Sequence, residues 1–135
     1  MCRSLCALLL FLYLGPAYGL EVTVFTAEDL PPLHGLEQAT AMYTLGEIRT
    51  PLAQLRFSNP GNSEEAQREA LARIQTPAGR AVLEAVHDKA TATAMAQLLQ
   101  IERLPAVLVS PGYVVYGVYD VAEALRKVEA YRARP

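Results

Sequence analysis

The chain has no tryptophan, two histidines and two cysteines, and both cysteines, Cys2 and Cys6, lie close to its start. Downstream of Cys6 there is no thiol, which excludes disulfides, thiolate nucleophiles and cysteine metal sites from everything that follows. His34 and His87 stand far apart, and neither a His-x-x-x-His pair nor a carboxylate-rich loop supplies metal-ligand spacing, so no metal is expected. A glycine-rich phosphate loop is missing, and Ser4 and Ser110 have no visible His-Asp partnership. Neither a catalytic residue nor a cofactor is therefore expected. Excess charge of one sign is missing too, since 12 Lys and Arg stand against 14 Asp and Glu. No basic stripe offers to displace counterions from phosphates, which argues against nonspecific DNA binding. There is no internal repeat or low-complexity tract, and the 52% apolar composition is that of one ordinary globular domain.

The N-terminus reads as a secretory signal peptide. Arg3 precedes the short apolar core Leu5 to Leu14, then Gly15-Pro16 and the small-residue site Ala17-Tyr18-Gly19, with cleavage expected after Gly19. The core is too short for a comfortable bilayer span, and nothing later approaches ~20 consecutive apolar residues. The expected product is a soluble, exported domain over residues 20–135, without cysteine. Its acidic balance is mild, because loss of Arg3 leaves eleven basic against fourteen acidic residues. Without disulfides its stability must come from a packed core, which is feasible for a chain on the order of 115 residues.

A first strand is expected at Val22 to Thr26, followed by a Pro- and Gly-rich loop through Gly35. The stretch Leu36 to Ile48 is ambiguous. Gln38 to Leu45 suits a strand, while Ala39, Met42 and Tyr43 also suit a helix; a strand at Ala41 to Leu45 is favoured. Pro51 to Leu55 reads as a short helical turn and Ser58 to Asn62 as a loop. Ser63 is expected to cap a helix with Glu64 and Glu65 in its first turn and Ala66, Ala70, Leu71 and Ile74 on one side. Thr76-Pro77 restarts a helix with proline at its tolerated first position. The apolar residues Val82, Val86, Ala90, Ala94 and Leu98 form its expected stripe, with a bend near Thr91 and Thr93 and a stop at Pro105.

The last third is the most informative. Val107 to Val109 is a buried-type strand, Pro111-Gly112 a turn, and Tyr113 to Tyr116 a second strand ending at Gly117. Strands this close must pair antiparallel. Asp120 is placed to cap a final helix, with Glu123 completing a capping box and Val121, Leu125 and Val128 on one face. This order resembles the closing half of a thioredoxin-like domain: an α/β fold with a mixed four-stranded sheet and flanking helices. In that fold the X-Pro bond before the third strand is cis and borders a peptide-receiving cleft, so the resemblance implies a cis Leu104-Pro105 bond.

Further residues carry a narrower likeness. The opening Val22-Thr-Val-Phe-Thr26, Leu104-Pro-Ala-Val-Leu-Val109 and especially Val114-Val-Tyr-Gly-Val-Tyr-Asp-Val-Ala-Glu-Ala-Leu125 resemble the small exported proteins of integrating conjugative elements in Gram-negative bacteria. The resemblance implies a periplasmic accessory part of a conjugative type IV secretion machine, with other transfer proteins as partners. The expected role is non-catalytic assembly, using a cleft formed by Thr26, Ala27, Leu104 and Pro105, with Tyr113 and Tyr116 as candidate lining. The alternative is a thiol-independent enzyme or small-molecule-binding protein on the same fold. Adjacent Glu28 and Asp29 are read as a solvated loop.

Overall fold

In the computed structural model, residues 19–55 and 61–135 are described. The expected leader, apart from Gly19, and residues 58–60 of the expected loop lie outside them. Four strands, β1 (Val22–Ala27), β2 (Ala41–Leu45), β3 (Ala106–Val109) and β4 (Tyr113–Tyr116), form one sheet in the order β2-β1-β3-β4. β1 and β2 run parallel, while β3 is antiparallel to both β1 and β4. The helices are α1 (Arg49–Leu52), α2 (Ser63–Ile74), α3 (Pro77–Leu98) and α4 (Val121–Arg132).

The side-chain alternation of the strands divides the core in two. Val22, Val24, Val107 and Val109 face α4 and bury its Val121, Ala124 and Val128. Phe25, Ala106 and Leu108 face α3, where Ala96 packs on them. Phe25 is fully buried, contributing roughly 1.5–3 kcal/mol of apolar transfer, and stacks on Tyr43 with ring centroids 5.3 Å apart.

Parallel strands usually need a helical crossover. Between β1 and β2 the described chain has instead a loop with a single 3-10 turn at Leu36–Gln38. The loop is held as an extra strand would be. His34 N–H donates to the Tyr119 carbonyl at 2.8 Å, and Val121 N–H donates to the His34 carbonyl at 3.0 Å. Leu33 and Ala39 fill the α4-side core beside it.

Several helix expectations are corrected. Asn62, not Ser63, caps α2, its Oδ1 accepting from Glu65 N–H at 2.8 Å. α2 buries none of its residues, and Leu71 is exposed. The short helix starts at Arg49, ahead of Pro51, because a first-turn proline needs no amide partner. Thr76 caps α3, with Pro77 at the first position.

α3 is unbroken through Thr91 and Thr93 and buries Val82, Lys89, Ala92 and Ala96, whereas Ala90, Ala94 and Leu98 are exposed. A strict step of four residues drifts about 40° per step around a 3.6-residue turn, so the expected stripe leaves the buried face. The helix ends before Pro105, at Leu98, and Gln100 follows at φ 54°. Asp120 caps α4, its Oδ1 accepting from Ala122 at 2.8 Å and Glu123 at 3.4 Å. Glu123 does not close a capping box, since its carboxylate pairs with Lys127 at 3.2 Å.

Candidate functional site

Phe25 faces Ala106 across the β1–β3 ladder, so the next residues, Thr26 beside Pro105 and Ala27 beside Leu104, meet at one end of the sheet. The Leu104–Pro105 peptide bond is cis, as is Ser110–Pro111 in the β3–β4 turn. Thr26 is 8% exposed and Pro105 fully buried, so these two are wall rather than surface. The Pro105 carbonyl is already engaged by Gly117 N–H at 2.9 Å. Ala27 and Leu104 are half-buried and form the accessible rim. Among the described residues the backbone of Leu104 makes no hydrogen bond, which leaves its N–H and C=O for something else.

The two tyrosines do not share this site. Tyr116 pairs with Ala106 and therefore stands at the Pro105 end, where its hydroxyl accepts from Glu102 N–H at 3.4 Å. Tyr113 pairs with Val109 at the far end of the hairpin and packs into the α4-side core. Three residues apart on one strand, they point to opposite faces. Tyr113 meets Tyr131 edge-on at 5.9 Å, and the Arg132 guanidinium lies 4.7 Å from its ring centroid.

A cluster beside the rim escaped sequence reasoning. Glu28 follows β1 directly, its N–H donating to the Leu45 carbonyl at 3.2 Å, and its carboxylate pairs with Lys89 from α3. Gly46, just after β2, completes the arrangement, because a Cβ there would lie 2.8 Å from Glu28 Cδ and closer still to Lys89 Nζ. A buried ammonium needs such a partner. The signal was available in the sequence: Lys89 is the lone charge on a helix face shared with Val82, Ala92 and Ala96. Chemically the cluster is a neutralised pair that pins the ends of β1 and β2 to α3.

Elsewhere His34 serves through its backbone in the bridge to Asp120, and His87 is exposed. Among the described residues no group of three His, Cys, Asp or Glu is placed to hold a metal ion. No helix among them is long and apolar enough to cross a membrane.

Residues 20–134 match the family described as "Protein of unknown function (DUF1525)". The chain belongs to the DUF1525 family. No curated protein and no solved structure matches it. The match covers the whole sheet and all four helices, so the rim at Ala27 and Leu104 and the Glu28–Lys89 pair both lie inside the DUF1525 region.

Proposed function

We propose that this DUF1525 protein is a non-catalytic, thioredoxin-like accessory protein of an integrating conjugative element, which holds an extended segment of another transfer component along Ala27 and Leu104 in the periplasm. The observation that carries the reading is the pair of unclaimed Leu104 backbone groups at the half-buried end of the β1–β3 ladder. Main-chain groups left open past the end of a ladder can hold an extended peptide by backbone hydrogen bonds. The thioredoxin-like assignment is supported by the order of a parallel pair, an antiparallel hairpin and a closing helix.

Thiol enzymes of that shape keep a thiolate at the start of the helix after the first strand. Here that helix is replaced by a loop, and residues 20–135 contain no cysteine. Export is supported by the Arg3-flanked apolar core and the Ala17-Tyr18-Gly19 site, and the family match begins at Leu20, the residue expected to head the processed chain. The role in transfer rests on the resemblance of the Leu104 to Leu125 region to conjugative-element proteins.

Photocrosslinking from position 27 or 104 in donor cells tests the cleft, with capture of a transfer-machine component expected. Deleting the gene should lower mating frequency without slowing donor growth, and complementation should need residues 1–19. Full rescue by a leaderless form confirmed to stay in the cytoplasm would overturn the periplasmic reading.

A further inference from the structure

β4 is an edge strand whose outer side has no partner among the described residues. Gly117 N–H bonds the Pro105 carbonyl, and from that pair the antiparallel alternation points the N–H and C=O of Val114 and Tyr116 away from β3, toward the open edge. Proteins usually protect such edges with a charge, a proline or a bulge. Tyr113-Val114-Val115-Tyr116 carries none of these.

Beside β4 lies a groove of about 480 Å³, walled by Tyr113 and Val115 from the strand and by Val128 and Tyr131 from α4. Its centre is apolar and its rim is cationic. Lys127 lines it on the helix side, and Arg132 and Arg134 lie against the Tyr113 and Tyr131 rings. Lys127 and the nearby Glu123 pair with each other at 3.2 Å, so the net positive charge at the groove comes from Arg132, whose guanidinium also donates to the Ser110 carbonyl at 2.7 Å, and from Arg134. An edge strand beside a helix, with a groove between them, is the arrangement in which a docked strand takes its affinity from main-chain bonds and its specificity from alternate side chains. A twofold pairing of β4 with a second copy would set the same cations against each other, so the charge favours a foreign acidic partner over self-association.

We propose that the β4–α4 groove takes up an extended segment of another protein, bearing alternating apolar and acidic side chains, as a fifth strand on β4. The groove lies on the opposite face of the sheet from the Leu104 rim, and the proposal stands whether or not that rim binds anything.

The probe is a fluorescein-labelled octapeptide alternating valine with glutamate, titrated with the purified protein and followed by anisotropy. It should bind at least tenfold more tightly than the valine–lysine counterpart. N-methylating every second residue removes the amides on one side, and in one of its two phases should weaken binding at least tenfold. Val114→Pro removes an outward amide at an edge position that tolerates proline. With an unchanged circular dichroism spectrum it should lose binding likewise, and Lys127→Glu should erase the preference for the acidic peptide. Equal binding of the two peptides, failure of the acidic peptide to bind, or indifference to N-methylation in both phases would overturn the proposal, and the peptide controls decide it even if Val114→Pro does not fold. A protein dimer through β4 in sedimentation that the acidic peptide does not dissociate would overturn it too.

Discussion

Lys89 and Glu28 form an ion pair between the middle of α3 and the end of β1 in which the partners are unequally wet: the Lys89 side chain is 11% exposed and that of Glu28 54%. The two charges are therefore not equivalent. Losing Glu28 strands an ammonium in a nearly dry site, whereas losing Lys89 returns a half-exposed carboxylate to water. Glu28→Ala should destabilise by about 2–3 kcal/mol, below the range for fully buried pairs, and Lys89→Met by much less. Urea unfolding of both variants checks the asymmetry, and equal losses would refute it.

Gly79 gives a prediction opposite to helix propensity. Replacing a helical glycine by alanine ordinarily gains about 0.5–1 kcal/mol. Gly79 is buried where the first turn of α3 meets the end of α2, and a Cβ there would press on the Arg73 carbonyl and lie 2.8 Å from Ile74 Cα. Backbone cannot yield as a flexible side chain can, so Gly79→Ala should lower stability by about 1–3 kcal/mol. A gain in Tm would refute the close approach.

Asp120 caps α4 through Ala122 and Glu123 and sits at the bridge to the crossover loop. Asp120→Ala should cost about 1 kcal/mol from the cap. Hydrogen exchange should also quicken at the His34 amide, which a loss confined to the helix terminus would leave unchanged.

The protein should not reduce disulfides. Residues 20–135 contain no cysteine, so insulin-reduction rates with the purified chain should equal those of buffer. Turnover above that background, in material free of contaminating oxidoreductase, would count against the non-catalytic reading.

The strands were legible because their signals are local. β2 spans Ala41–Leu45, the strand favoured over a helix in an otherwise ambiguous stretch, and β3 and β4 flank the Pro111-Gly112 turn. Ala27, which extends β1 by one residue, is fixed instead by its pairing with Leu45. The buried face of α3 was misread because a four-residue step mimics a helical stripe over one or two turns and then drifts off it. That error also hid Lys89, and with it the partner of Glu28. The separation of Tyr113 from Tyr116 follows from strand alternation and could have been drawn from β4 alone. The prolines and glycine between Leu30 and Gly35 mark the loop that stands in place of a crossover helix, but no local signal marks its clasp, which Tyr119 and Val121 supply from far along the chain.

That dependence on distant residues has a kinetic consequence. β1 is an inner strand, with one neighbour supplied by residues 41–45 and the other only by residues 106–109, and its crossover loop is clasped later still, at residue 121. Contacts so far apart in sequence slow folding, because the long intervening loop must close before they form. A nascent chain lacking its last third therefore has no complete sheet to settle into. Truncations ending before Ala106 should remain protease-sensitive, and the domain should acquire its protection in a single late step.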